Sequence, residues 1–229
     1  MNATFSAVKT SHLSREFQLG NRSIKALENV EFEARAGEFV AVMGASGCGK
    51  STLLSLLGGL DVPTRGEVLL EGQNLYTMTE AQRVRLRRGG IGYIFQGYDL
   101  LPALTVLENV EFPLLVSKIS SLERRNRAKA MLLEVGLEDK ADFLPDELSG
   151  GQQQRVGIAR CLVSEPRIVL ADEPTGNLDT TTTNSILELL KGAILKRNMT
   201  LIVVTHDPEV AAHADRIVRL RDGRIELRS

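Results

Sequence analysis

Cysteine is scarce in this sequence: Cys48 and Cys161 are the only two, and they form neither a CxxC spacing nor a framework. That excludes a disulfide-stapled scaffold and fits a reducing cytosol. No apolar run approaches the roughly 18 residues needed to cross a bilayer. The opening stretch MNATFSAVKTSHLSREF lacks the apolar segment of a secretion leader. The expectation is a chain that neither spans a membrane nor leaves the cytoplasm. An excess of charge is missing as well. Lys+Arg 28 against Asp+Glu 29 leaves −1, which argues against a protein that holds nucleic acid through its overall charge. Internal repeats and low-complexity segments are absent too.

What is present is ordinary globular material: 229 residues, 43% hydrophobic and 25% charged. The length fits one large domain or two small ones. At this size roughly 70% of the unfolded surface can be buried, so no metal or disulfide staple is required. Val30 to Ala34 alternates apolar and polar as a strand does, and Phe39 to Met43 is a continuous apolar run of the kind buried in a parallel sheet. Thr52 to Leu60 reads as a helix stopped at Gly58-Gly59, and Glu67 to Gly72 as a strand with its turn. From Asp99 to Glu147 strong β-branched runs disappear, and Leu122 to Val135 takes helical apolar spacing with basic residues on the solvated faces. An α/β rhythm returns after Gly150. Gln152–Ser164 is helix, Arg167–Ala171 strand, Thr180–Arg197 helix, Thr200–Thr205 strand and Pro208–Ala214 helix. Ile217–Leu220 and Arg224–Leu227 close as a hairpin over Asp222-Gly223. Strands alternating with helices call for a mostly parallel sheet with a helical insertion.

Residues Gly44-Ala45-Ser46-Gly47-Cys48-Gly49-Lys50-Ser51 match G-x-x-x-x-G-K-[ST], after a buried strand and before a helix that continues through Thr52. The glycines let the backbone turn its N–H groups inward as an anion nest, and the helix adds its positive end. Lys50 then reaches the outer phosphates of a nucleoside triphosphate, and the Ser51 hydroxyl is suited to Mg²⁺. Cys48 sits among these positive groups, which favours its thiolate and a reactive thiol, unless the side chain points into the protein behind the loop. Cys161 is expected buried and silent.

Ile168 to Glu173 is an apolar strand ending in two carboxylates. Ligands of parallel α/β sheets sit at the strands' carboxyl ends. Asp172 is suited to hold Mg²⁺ and Glu173 to orient or deprotonate water. Phosphate loop and acid pair together favour hydrolysis over storage of the nucleotide.

Leu148-Ser149-Gly150-Gly151-Gln152 opens another helix, which by local chemistry alone is a capped helix start. Lying between GASGCGKS and IVLADE, it resembles the signature of the ATP-binding cassette of ABC transporters. The resemblance covers the whole chain, residues 1–229 as a single cassette. It implies a P-loop NTPase core with a mostly parallel sheet, an antiparallel β subdomain, and a helical subdomain inserted at about 99–147. Gln96 resembles the glutamine that ligates Mg²⁺ and senses the terminal phosphate. His206 resembles the switch histidine, and Asn177-Leu178-Asp179 the loop joining two nucleotide sites. Phe17 falls where the family stacks an aromatic on adenine, a place it fills unless it is a core residue.

The resemblance further implies that Ser149, Gly150 and Gly151 close over ATP held by a second copy, head to tail, and that a membrane permease turns opening of that pair into work. Tyr98 to Val110 is apolar enough either to pack within the insertion or to line a groove for a helix of the permease. Leu56 to Asp61 and Ala171 to Asp179 are similar to the MacB/LolD-type group, whose permeases carry an extracytoplasmic domain, in places with a periplasmic adaptor. A cassette of this group lies on the cytoplasmic face of the inner membrane. An FtsE-like regulator of cell division is the alternative. A soluble DNA-repair ATPase is a further one, opposed by the short insertion and the charge balance, and no nucleic-acid partner is expected.

Overall fold

A computed structural model describes residues 6–20 and 22–226, the side chains of residues 87 and 88 excepted. The chain runs β1 (Ser6–Leu19), β2 (Arg22–Val30), β3 (Glu33–Arg35), β4 (Phe39–Met43), α1 (Lys50–Leu57), β5 (Arg65–Leu70), β6 (Gln73–Asn74), α2 (Glu80–Gly89) and β7 (Ile91–Ile94). It continues with α3 (Val106–Glu111), α4 (Ser121–Glu134), α5 (Gly150–Leu162), β8 (Ile168–Asp172), α6 (Thr180–Arg197), β9 (Thr200–Thr205), α7 (Pro208–Ala212), β10 (Arg216–Arg221) and β11 (Arg224–Ile225).

Two sheets organise it. One has the order β11-β10-β4-β9-β8-β7, parallel from β10 to β7. The other, β2-β1-β5-β6 with β3 beside β1, is antiparallel. The parallel strands are apolar at nearly every position because both faces are covered. Along β9, Leu201 and Val203 enter one core with α3 to α6, while Ile202 and Val204 enter the other with α1 and the antiparallel sheet. Three layers result, with the parallel sheet in the middle. Between β7 and β8 the described residues form helices and turns only.

Several boundaries differ from the sequence reading. Val30 to Ala34 is not one strand: Val30 ends β2 and Glu33 begins β3. The Thr10 hydroxyl on β1 fills the break, donating to the Val30 carbonyl and accepting from the Phe32 N–H, both at 2.8 Å. Helix α1 starts at Lys50, two residues before Thr52, because Gly49 at φ 107° turns the chain directly into it. It ends at Leu57, where the Tyr93 ring fills the space beside Gly58. Strand β1 and helix α2 carry little periodic apolar signal and were not expected. The closing hairpin turns at Asp222 and Gly223, φ 47° and 74°, the doubly left-handed pair of a tight two-residue turn. Residues 1–5 of the opening stretch and Leu227 of that hairpin lie outside the described residues.

Candidate nucleotide site

The register of the parallel sheet brings its strand ends together. Met43 pairs with Thr205, Asp172 with Val204, and Ile94 with Ala171. The loops leaving β4, β7, β8 and β9 therefore open on one side, and a cavity of about 580 Å³ lies among them. Ala45, Ser46, Gly47, Gly49, Lys50, Ser51 and Thr52 line it from the loop and α1. Gln96, Asp172, Glu173 and His206 complete it from the neighbouring strand ends.

The loop is tied in place before any ligand is considered. Lys50, only 7% exposed, donates from Nζ to the carbonyls of Gly44 (2.8 Å) and Ala45 (3.0 Å). Gly49 is required twice over, by its φ and because a side chain there would run into the Ala26 carbonyl at 2.4 Å. Gly47 is free of such contacts; nothing lies within 4 Å of where its Cβ would stand. Ala26, on β2, joins the cavity wall. The sequence reading missed it, and alanine carries no chemical signal by which to find it.

The acid pair divides its work by environment. Burial pushes the Asp172 carboxyl above the usual carboxylate range, and the Glu173 charge adds to this; a hydrogen bond from Ser51 and the Lys50 charge pull it back. Glu173 stands at φ 44°, a left-handed conformation costly for a non-glycine residue. Its N–H donates to the Val204 carbonyl (3.0 Å) and its own carbonyl accepts from Gly176 (3.1 Å), which pins that turn. The Glu173 carboxylate accepts from His206 Nδ1 at 2.8 Å and from the Thr205 hydroxyl at 3.2 Å. An ionised carboxylate is acceptor-only, so Nδ1 carries the proton. Thr205 was also missed, because its contact depends on strand register rather than on a motif. Its hydroxyl accepts from the Asp207 N–H at 3.0 Å and is fixed by that bond.

Ser149, Gly150 and Gly151, expected at the ATP of a second copy, start α5 away from the lining of this cavity. There Ser149 and Gln152 form a reciprocal cap, Ser149 N–H to Gln152 Oε1 at 2.9 Å and Gln152 N–H to Ser149 Oγ at 3.4 Å. Phe17 is also outside the lining, 37% exposed on β1 with the Arg15 guanidinium 4.4 Å over its ring. It pairs with Ile24, two positions along β2 from Ala26. Cys48 corrects the expectation of a reactive thiol. Its side chain is buried in the core cluster beneath the loop, and its sulfur occupies the space beside Gly44 rather than the cavity. Cys161 is buried as expected, its thiol pushed up to about 12 by burial. Asp179 caps α6 through Thr182, and Asn177 donates to the Gln96 carbonyl at 3.4 Å.

Known proteins carry the same framework. A family model described as ABC transporter matches residues 27–176. The lipoprotein-releasing system ATP-binding protein LolD of Syntrophotalea carbinolica is 46% identical over 218 residues, 95% of this chain and 96% of the relative. The macrolide export ATP-binding/permease protein MacB of Brucella melitensis is 45% identical over 95% of this chain, which spans 34% of that longer protein. The dimeric bacterial ABC transporter cassette MJ0796 superposes with a TM-score of 0.89 at 44% identity, covering 96% of this chain and 97% of that one. The same cassette, as a dimer in a post-hydrolysis state bound to ADP and Pi, matches equally. Among the described residues no helix is long and apolar enough to cross a membrane. With the fold, the phosphate loop and the acid-ended strand all in place, this chain belongs to the ABC transporter family, as an ATP-hydrolysing cassette subunit.

Proposed function

We propose that the cavity at the strand ends holds MgATP and that Glu173 directs a water onto the terminal phosphate. The observation that carries this is the convergence of Lys50, Ser51, Gln96, Asp172, Glu173 and His206, from four separate loops, on one cavity. Lys50 exchanges two neutral carbonyl acceptors for phosphate oxygens, a gain in charge-assisted hydrogen bonding. The loop N–H groups from Ala45 to Ser51 and the start of α1 receive the remaining phosphate charge. Ser51, Asp172 and Gln96 form a hard oxygen donor set with one carboxyl, which suits Mg²⁺ shared with a triphosphate. Bound there, the ion neutralises charge building up on the outer phosphates. Phe17, exposed and close to the cavity wall along β2, offers its ring to the adenine. Glu173 is aligned by Thr205 and His206 and passes from acceptor of the histidine proton to base for water.

The cap at Ser149 has a helix N-terminus but lies outside the cavity that Lys50, Asp172 and Glu173 line, and we assign Ser149, Gly150 and Gly151 to the ATP of a second copy, arranged head to tail. The dimeric form of the MJ0796 cassette supports this. The helical segment 99–147 acts as the unit that meets a membrane permease, through the apolar groove lined by Leu101, Phe112, Pro113 and Val116 beside β7. The pairing of ATP-binding and permease parts in MacB supports a permease partner; an extracytoplasmic domain on that permease and a periplasmic adaptor rest on the sequence resemblance alone. The cassette then sits peripherally on the cytoplasmic face of the membrane. The names LolD and MacB favour driving export or extraction over FtsE-like regulation.

Glu173→Gln tests the reading. It should keep ATP binding, slow hydrolysis by about 10²–10⁴-fold, and turn a monomer into a dimer when ATP is added. Light scattering after size exclusion reads the last point; a monomer with ATP bound overturns the head-to-tail arrangement.

A further inference from the structure

We propose that Arg15 is a positioning residue for the base of the bound nucleotide: anchored on Asp61 beyond the end of α1, it backs one face of the Phe17 ring and leaves the other for the base. This rests on the reading above, in which Phe17 offers its ring to the adenine. Arg15 and Phe17 stand two apart on β1, as residues of one strand face do. The guanidinium lies 4.4 Å from the ring centroid, a cation over the negative face of an aromatic, and Phe17 is still 37% exposed with that face covered. A long side chain near the surface gives up rotamer freedom to hold such a pose, so something else must impose it. Asp61 does. Arg15 Nε and Nη2 each donate to one oxygen of the Asp61 carboxylate, both at 2.8 Å. Two parallel bonds fix the plane of a guanidinium, which a lysine could not reproduce.

Asp61 is itself held. Its Oδ1 accepts from the Val62 N–H at 2.7 Å, and its own N–H points to the Ser55 carbonyl of α1 at 3.4 Å. The Tyr76 hydroxyl lies 2.8 Å from the Asp61 carbonyl and 2.6 Å from that of Leu56, also on α1. Burial pushes the Tyr76 phenol up and the Asp61 charge adds to this, so the hydroxyl stays a donor. The same loop is stitched to β1 on either side of Arg15. Thr64 N–H donates to the Ser14 carbonyl at 2.9 Å, and Glu16 N–H to the Thr64 hydroxyl at 3.0 Å. The β1–β2 pairing shifts register on both sides of Arg15, passing over Ala26 between Lys25 and Leu27. That extra residue is the one that joins the cavity wall. The aromatic is thus tied through Arg15 and Asp61 to the far end of the helix that begins at Lys50. A ligand carrying both a base and phosphates meets two platforms held in one frame.

The test compares MgADP, which carries the base, with magnesium pyrophosphate, which carries phosphates alone, by isothermal titration of the full chain. Phe17→Ala should weaken MgADP by about tenfold, the loss of one base stack. Arg15→Ala should weaken it by about fivefold, the scale of a cation held over a ring. Each should bind pyrophosphate within about twofold of the parent. In the Phe17→Ala background, Arg15→Ala should bring no further loss, because a residue acting through the ring has nothing left to act on. Arg15→Lys, which keeps a cation but not the paired bonds, should recover part of the affinity. Arg15→Ala with the parent's MgADP affinity overturns the inference and leaves the adenine reading standing. A loss that persists in full without Phe17 also overturns it, as does one shared equally by pyrophosphate, which marks a structural role. Phe17→Ala with the parent's MgADP affinity is the distinct failure: it removes the adenine reading, and the inference with it.

Discussion

The molecule builds one local device twice, a glycine-bearing turn leading into a helix N-terminus, and surrounds the two copies differently. At Gly44–Ser51 the turn is enclosed: Lys50 is buried, Asp172 and Glu173 stand on neighbouring strand ends, and β2 closes one wall. At Ser149–Gly151 the turn is open, its serine spent on a cap with Gln152, and its glycines are explained by close neighbours. Tyr98 fills the space beside Gly150 and Thr182 that beside Gly151. Anion affinity at a helix start is modest in itself, so what surrounds the turn decides what it does. In the proposed reading the enclosed turn is the floor for a triphosphate, and the open one is completed by the surface of a second copy.

The largest way to break this comparison is at Lys50. Lys50→Ala removes the buried cation of the enclosed turn and should cut kcat/KM for MgATP by about 10²–10³-fold, the usual cost of losing a positioned electrostatic donor. Steady-state hydrolysis within about twofold of the parent, ~0.4 kcal/mol, would mean that the enclosure is not the catalytic site.

Asp172→Asn sharpens it by separating function from stability. The folded-state pKa of Asp172 is raised, so the folded protein binds that proton more tightly than the unfolded chain does. Stability from this group is therefore present at low pH and lost as pH rises from the unfolded value through the raised one. Asparagine keeps an acceptor for Ser51 without the charge. The variant should melt higher than the parent at neutral pH, with the gap shrinking in acid, while Mg²⁺-dependent turnover is lost. A lower melting temperature at neutral pH would show that the charge stabilises the fold.

How far the sequence could reach follows the same division. The phosphate loop was legible because its chemistry lies in eight consecutive residues, and the acid pair because an apolar strand announces its own end. Thr205 was not, since it meets Glu173 only through the parallel register that sets Asp172 opposite Val204. Strand β1 escaped because its pairing shifts register around Ser11 to Arg15, with His12 at φ 50°, which breaks the period of two. Helix α2 escaped because few of its side chains are apolar. Direction of a side chain within a turn was beyond reach altogether, and Cys48 is the example.

A smaller effect tests the open turn. Ser149→Ala removes a cap worth about 1 kcal/mol of local helix stability. It should leave the MgATP affinity of the monomer within about twofold, yet weaken ATP-driven dimerisation in the Glu173→Gln background by more than the cap alone accounts for. Isothermal titration and light scattering give the two numbers. A tenfold loss of monomer affinity would place Ser149 in the chain's own cavity and erase the contrast between the turns.

The smallest effect is expected at Cys48, in the middle of the enclosed turn. Its neighbours in sequence are all cavity residues, but its sulfur faces the core beside Gly44 and is shielded from the cavity by the loop backbone. The Cys48 carbonyl accepts from the Gly223 N–H at 3.0 Å, so the β10–β11 turn holds the residue from behind. A buried thiol here is a small apolar filler. Cys48→Ala should therefore change MgATP hydrolysis by less than about twofold and lower stability by about 1 kcal/mol, the order expected for a small core truncation. The native protein should react with maleimide no faster at Cys48 than at buried Cys161, with or without MgATP. Mass spectrometry of the labelled peptides decides it. Rapid labelling of Cys48 that MgATP suppresses would show that the loop opens its inner face to solvent, and that the enclosed turn is less fixed than its hydrogen bonds imply.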